Sequence, residues 1–390
     1  MTTALATRLL GRRVVVCVGP GGVGKTTLSA AIALGGARRG LRTAVVTIDP
    51  ARRLADALGL EGDAAEAASH GLAEVALPSD YRGTVRAKML EPKRAFDDLV
   101  EGLAPDMRTR DAVLGNAIYQ HVSDQLAGSA EYAAMAEVQT LSERDDIDLL
   151  VVDTPPSANA LDFLDAPGRI TSLLDSAVLQ WLIRPTASVG RFGWRVFERG
   201  ARSVTRALER VTGLGFLEDI SQFLLMFESL SAGFRERGHA AERLLFGDDC
   251  HFVMATGPSA TSIAQTDAFV ARLSERGVVP AGIVANRVRT WPDAIPEGLE
   301  TASLLAELAD ALEPEYGGRA EAAARAALDA VDGYASGVQQ DRVALDPMLE
   351  RARRAGAFTC CIPELPSDVH DLAGLSEVER ILFREDESET

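Results

Sequence analysis

Lysine is the scarcest charge in this sequence. Only three of the 40 basic residues are lysines, Lys25, Lys88 and Lys93. Arginine has taken their place almost everywhere, so a retained lysine calls for a chemical reason. Positive charge of either kind is in deficit, because 57 acidic residues leave a net charge of −17. The far field of such a chain repels phosphate, which argues against a general affinity for nucleic acid or anionic membranes. Any phosphate it binds must be held by a local site. Cysteine is sparse too: Cys17, Cys250, Cys360 and Cys361 include no C-x-x-C pair, so neither a disulfide framework nor a paired zinc module is expected. Cys17 and Cys250 lie in apolar runs, and the vicinal pair is awkward for a disulfide or zinc. Buried, reduced thiols on core strands of a cytoplasmic protein are the expectation. No apolar run reaches the roughly 18 residues of a membrane span, and the first residues hold no apolar leader segment.

What is present is apolar residue enough for a large core, 47% over 390 positions, as one large domain or two smaller ones. Short, uniformly apolar, β-branched runs recur at wide spacing: Val14–Val18, 43–48, 149–152, 252–255, 283–285 and 359–362. Helical segments such as 27–39 and 262–276 separate them. This alternation predicts an α/β fold: a doubly wound, mostly parallel sheet carrying inserted helices. Core segments fall at 1–91, 144–165, 248–288 and 358–383. Helical insertions fall at 92–143, 166–247 and 289–357, the last as helices over 302–312, 319–331 and 346–355. An acidic, solvated tail occupies 384–390. Phe216, Ile220, Phe223, Leu224, Phe227, Leu230 and Phe234 follow helical spacing. That stripe reads as a core face rather than a client groove. The segment 188–210, with Phe192, Trp194, Phe197 and many arginines, reads as a solvated helix, with a mobile lid or a membrane-surface helix as alternatives.

The most informative stretch follows the first strand. Gly19-Pro20-Gly21-Gly22-Val23-Gly24-Lys25-Thr26-Thr27 satisfies G-x4-G-K-[ST] between a strand and a helix. Glycines let backbone N–H groups turn inward around a phosphate, and the helix N-terminus adds partial positive charge. In such a loop Lys25 bridges the β- and γ-phosphates and the Thr26 hydroxyl ligates Mg²⁺. Two apolar strands end in aspartate nearby, Thr47-Ile48-Asp49-Pro50-Ala51 and Leu149-Leu150-Val151-Val152-Asp153-Thr154-Pro155-Pro156. Their carboxylates emerge at the carboxyl edge of the sheet, where nucleotides bind. Asp153 is expected to hold Mg²⁺ through a water, leaving Asp49 to orient or deprotonate the attacking water.

Together these residues resemble the ArsA/guided-entry (tail-anchored protein targeting) ATPases, a deviant-Walker group of P-loop proteins. That family carries K-G-G-x-G-K-[ST], a D-P-A switch I, a D-T-x-P switch II, an apolar strand ending in asparagine and a late P-x-L-P-x-[DE]-V loop. The counterparts here are Pro20 to Thr26, Asp49 to Ala51, Asp153 to Pro156, Asn286 after Gly282-Ile283-Val284-Ala285, and Pro363-Glu364-Leu365-Pro366-Ser367-Asp368-Val369. Met89-Leu90-Glu91-Pro92-Lys93 matches the phrase before the family's helical subdomain. The likeness is greatest to actinobacterial members. It implies ATP and Mg²⁺ as ligands, with the backbone of Gly21, Gly22, Val23, Gly24, Lys25, Thr26 and Thr27 around the phosphates. It also implies Lys25 and Asp49 in catalysis, Thr26 and Asp153 on the metal, and Asn286 and the Pro363 loop at adenine. The segment 166–247 becomes a client or effector subdomain, and the working unit a cytoplasmic dimer closing over nucleotide.

Three departures qualify the resemblance. The family's signature lysine, which reaches across the dimer to the partner's phosphates, is Pro20 here. A paralogue that keeps its lysine restores the charge in a heterodimer, the favoured reading. A homodimer instead needs Arg52 or Arg53, after Ala51, as an arginine finger. The zinc C-x-x-C and any cysteine trio for arsenite are missing, which disfavours a metalloid or anion pump. The helical segment 166–247 is poor in methionine, with Met226 alone, so a hydrophobic protein client is one option rather than a requirement. A non-catalytic nucleotide-binding subunit is the alternative from another class. A partitioning or division-site ATPase lacks the terminal membrane helix or basic face it needs.

Overall fold

In the computed structural model, all five residues of β1 (Val14–Val18) are buried, and alternate ones serve different cores. Val14, Val16 and Val18 face one side of the sheet, while Val15 and Cys17 face the other. A strand covered on both faces has no polar side to show, which is why its sequence is continuously apolar. The structure describes residues 9–48, 53–116, 119–120, 129–154, 165, 168, 214–291 and 301–384, apart from the side chains of 92, 129–130, 214–229 and 301–303.

Eight strands lie in the order β3-β4-β2-β5-β1-β6-β7-β8. They are β2 (Arg42–Thr47), β3 (Ala73–Glu74), β4 (Thr84–Met89), β5 (Leu149–Asp153), β6 (Cys250–Thr256), β7 (Gly282–Val288) and β8 (Phe358–Pro363) beside β1. All pair in parallel except the short β3, which is antiparallel to β4. This is the expected doubly wound, mostly parallel sheet. One face is covered by α1 (Lys25–Arg38), α2 (Arg53–Ala57), α3 (Gly62–His70) and, out of chain order, the last helix Leu372–Leu382. The other face carries α4 (Pro92–Leu103), α5 (Met107–Leu114), α6 (Ser129–Ser142), α7 (Leu214–Phe246) and α8 (Ala260–Glu275). The helices α4, α6 and α7 meet in an aromatic cluster: Phe234 packs against Phe96 and Tyr132 at ring-centroid distances of 5.8 Å, and the Tyr132 hydroxyl donates to the Phe234 carbonyl. Leu230 and Phe234 are therefore core residues. The side chains of Phe216, Ile220, Phe223, Leu224 and Phe227 lie outside the described residues, as do 171–213, with the whole 188–210 segment, and 385–390 of the tail.

Three expectations change. Strands β3 and β4 are not among the apolar runs. Thr84–Met89 alternates polar and apolar, with Val85, Ala87 and Met89 buried and Thr84, Arg86 and Lys88 half-exposed. Its polar face is occupied by ion pairs, Arg86 with Asp146 at 2.8 Å and Lys88 with Glu137. A strand near the sheet edge needs only one apolar face. Second, the last insertion is a hairpin of two helices, α9 (Thr301–Tyr316) and α10 (Ala320–Arg354), rather than three. Gly333, Gly337 and Pro347 read as breaks, yet α10 runs through them. Gly337 earns its place because a Cβ there would collide with the guanidinium of Arg289. Arg289, just past β7, holds Asp341 of α10 through its backbone N–H at 2.9 Å and its side chain at 3.1 and 2.5 Å. Burial alone would raise the Asp341 carboxyl, but the contacts from Arg289 outweigh it and hold it below the usual range.

Third, the thiols are not all buried, because β8 is the edge strand: Cys17 and Cys250 are buried, Cys360 is half-buried and Cys361 is exposed. Burial pushes the Cys17 thiol up to about 12, and that of Cys250 upward as well. A thiol reagent at neutral pH should therefore modify the native protein at Cys361 and more slowly at Cys360, with Cys17 and Cys250 reacting only in denaturant. Mass spectrometry of the labelled peptides checks this. Native labelling of Cys17 at a rate near that of Cys361 would contradict the packing.

Candidate nucleotide-binding site

β1 delivers the chain to residues 19–24 at the carboxyl edge of the sheet, and this loop runs directly into α1. Lys25 is the first residue of α1 and is only 7% exposed. Its amine donates to the carbonyls of Gly19 at 3.0 Å and Pro20 at 2.9 Å. The ammonium is thus folded over its own loop, where phosphate oxygens can replace those carbonyls. Pro20 is buried, and its contribution is that one carbonyl contact. Gly24 caps α1 at φ +88, a left-handed conformation that disfavours side chains, and a Cβ there would also collide with the Asn286 amide. Loop and strand β7 therefore touch at a point only glycine can occupy.

Below the loop, two hydroxyls converge on one carboxylate oxygen. Thr26 Oγ1 donates to Asp153 Oδ2 at 2.8 Å and Thr47 Oγ1 donates to the same atom at 2.9 Å. Strand register causes this: Asp153, at the end of β5, is paired with Cys17 of β1 on one side and Thr47 of β2 on the other. Asp153 is fully buried, and a carboxylate is tolerated there only where hydrogen bonds replace water. Thr154 donates to the Cys17 carbonyl at 2.8 Å and pins the strand end. Among the described residues no group of three or more His, Cys, Asp or Glu is placed to hold a metal ion. A hard cation with near-octahedral demand, such as Mg²⁺, suits this arrangement: the Thr26 hydroxyl faces the cavity, the Asp153 charge lies behind it, and phosphate and water supply the remaining oxygens.

A cavity of about 410 Å³ opens above these groups. It is lined by Gly22, Gly24, Lys25, Thr26 and Thr27 of the loop and α1, by Arg53, Asp56 and Ala57 of α2 with Thr154, and by Arg287, Val369 and His370. Its size suits a small ligand. Of the residues singled out in the sequence, Gly22, Gly24, Lys25, Thr26 and Thr27 come together on this cavity with Arg53, Thr154 and Val369. Gly21 is exposed beside it, and Val23 packs its side chain into the core. Asn286 braces the loop, donating through Nδ2 to the Val23 carbonyl at 2.8 Å. Neither Asn286 nor Pro363 lines the cavity; Pro363 ends β8 opposite Val288. Asp49, with 50–52 and the Pro155-Pro156 pair, lies outside the described residues.

Sequence reading passed over Thr47, Asp56, Arg287 and His370. Thr47 carries a signal, a hydroxyl at a strand end two residues before Asp49. Arg287 carries another, being adjacent to Asn286. It is the only non-glycine residue with positive φ among those described, at φ +57. A left-handed conformation costs a side-chain-bearing residue roughly 1–2 kcal/mol, and the Asn286 side chain helps hold it by accepting from the Arg287 N–H at 3.0 Å. The Arg287 guanidinium pairs with Asp368 Oδ1 at 3.1 Å, both side chains being well exposed. Exposed pairs contribute little to stability, so the pair does not account for the strain.

The model of the family described as anion-transporting ATPase matches residues 12–297. The match ends before the α9–α10 hairpin. Among curated proteins, an uncharacterized protein of Streptomyces coelicolor is 30% identical over 163 residues, 42% of this chain and 39% of that protein. An arsenical pump-driving ATPase of Acidiphilium multivorum is 29% identical over 168 residues, 40% of this chain and 26% of that protein. An ATPase GET3 of Malassezia globosa is 25% identical over 160 residues, 41% of this chain and 44% of that protein. The alignments span less than half the length of each of these relatives.

Proposed function

The chain belongs to the anion-transporting ATPase family, a family of ATPases, and from that premise we propose that it binds and hydrolyses Mg-ATP and couples nucleotide state to a partner. The observation that carries this reading is the Thr26–Asp153–Thr47 cluster at the start of the helix that Lys25 opens. The loop N–H groups and Lys25 hold the β- and γ-phosphates, and Thr26 with Asp153 provides the metal's protein ligands. Bound Mg²⁺ neutralises the charge that develops on the phosphate oxygens during transfer. Asp49 orients the attacking water. Asn286 braces the loop through the Val23 carbonyl, and the loop that follows Pro363 borders the adenine through Val369.

The working unit is a cytoplasmic dimer with a homologous ATPase, a paralogue that carries a lysine where this chain has Pro20. The helical segment 166–247 receives the effector, with a hydrophobic protein client as the simplest candidate and peripheral membrane contact as a second route. No helix among the described residues is long and apolar enough to cross a membrane. Metalloid transport is not favoured, since the four cysteines sit on β1, β6 and β8 and form no trio. One observation supports a second source of cation: Arg53 of the same chain lines the cavity together with the phosphate loop.

The test is steady-state ATP turnover by the chain alone and mixed with such a paralogue. A rise on mixing by about 10³-fold, the scale of a cation supplied in trans, is the expected result. Equal turnover with and without the paralogue, lost in Arg53→Ala, would move the cation to Arg53. ATP bound but not turned over in any mixture would leave a non-catalytic nucleotide-binding subunit and end the hydrolysis reading.

A further inference from the structure

One group of residues on the cavity, Arg287 with Val369 and His370, stands outside the phosphate loop, yet it is built with care. A line of contacts runs from the loop to it: the Val23 carbonyl to Asn286 Nδ2 at 2.8 Å, Asn286 Oδ1 to the Arg287 N–H at 3.0 Å, and Arg287 Nη2 to Asp368 Oδ1 at 3.1 Å. His370 Nδ1 then meets the Asp368 carbonyl at 2.6 Å. The β7–β8 pairing shifts register between Ala285 and Val288, which brackets Arg287. An arginine therefore occupies a bulged, left-handed position that glycine would fill with less strain, and its ion pair does not explain why. Strain of this kind, kept beside a cavity, points to a ligand contact.

We propose that Arg287 is the nucleobase-covering residue of this chain, its guanidinium plane lying over the flat face of a bound purine. Three features of this lining select that ligand. Arg287, Val369 and His370 offer a planar cation, a branched aliphatic group and an imidazole, a lining suited to an aromatic face rather than to charge. The Asp368 carboxylate pairs with Arg287 and orients it. The phosphate-holding groups line the same cavity, and the loop is tied at the Val23 carbonyl to the residue before Arg287, so a nucleoside attached to those phosphates shares its cavity with the Arg287 guanidinium. Guanidinium is the cation that stacks on π faces, because it is planar and weakly hydrated; an ammonium does not replace it.

This rests on the nucleotide reading above, and its test separates the two. Binding of Mg-ATP and of Mg-tripolyphosphate, which has the phosphates without a nucleoside, is measured by calorimetry for wild type, Arg287→Gly, Arg287→Lys and Lys25→Ala. Arg287→Gly should weaken ATP about tenfold, within the range of cation–π contacts, and change tripolyphosphate by less than twofold. Arg287→Lys should behave as Arg287→Gly does. The glycine variant relieves the positive φ, so its melting temperature should not fall, and a matched melt shows that lost affinity is not lost fold. Equal loss for both ligands would make Arg287 a phosphate contact and overturn the proposal. So would unchanged ATP affinity, or a lysine variant equal to wild type. Failure of the underlying reading looks different: Lys25→Ala would then bind both ligands as wild type does.

Discussion

Lys25→Ala should abolish measurable ATP turnover, a fall of at least about 10²–10³-fold, the cost of removing one preorganised charge partner from a transferring phosphoryl group. The side chain is 7% exposed and reaches two loop carbonyls at 3.0 and 2.9 Å, so its ammonium is positioned before any ligand arrives. Alanine leaves those carbonyls without their donor, at roughly 1–3 kcal/mol for each if no water replaces it, and a modest drop in melting temperature should accompany the lost activity. Lys25→Arg should fail nearly as badly. A guanidinium is a wide planar fork, and the space under the loop holds a compact ammonium. Turnover and fluorescent-nucleotide binding, read on variants whose circular dichroism matches wild type, decide the matter. Wild-type turnover in Lys25→Ala would remove the loop from the chemistry.

Asp153→Asn should separate binding from turnover. The substitution keeps the size of the side chain and one carbonyl oxygen to accept from Thr26 and Thr47, now 2.8 and 2.9 Å away. It removes a negative charge from a fully buried position, and so should leave the melting temperature unchanged or higher. What it loses is the attraction for a divalent cation. Turnover should fall by about 10²–10³-fold, and added Mg²⁺ should strengthen ATP binding far less than in wild type. A variant that responds to Mg²⁺ as wild type does would show that Asp153 only fastens strand ends together.

The parts of this molecule legible in its residues are those where one physical demand dominates. Strands buried on both faces must be apolar throughout, so β1, β2 and β5 to β8 stand out. The loop stands out because backbone N–H groups can turn inward only where side chains are missing. Where two demands compete, the pattern blurs. Thr84–Met89 satisfies a core on one face and ion pairs on the other, so it reads as neither run nor helix. Gly333, Gly337 and Pro347 interrupt a helical sequence, but α10 tolerates them because tertiary contacts override local preference. At the candidate site the loop and the strand-end aspartate could be read ahead of the fold. Thr47 and Arg287 carry only the faint signal of lying next to a motif residue, because their importance comes from register and a bulge that bring distant residues together.

The clamp between Arg289 and Asp341 has a mechanical side. Asp341 lies well along α10, whose other end, Ala320, is 21 residues away. At 1.5 Å per residue that is a rigid arm of about 32 Å, so a tilt of about ten degrees at the clamp would sweep its tip by about 5 Å. The fulcrum is two residues from Arg287, at the end of a strand whose asparagine touches the phosphate loop. Any tilt at this fulcrum would therefore be magnified toward the far end of the hairpin.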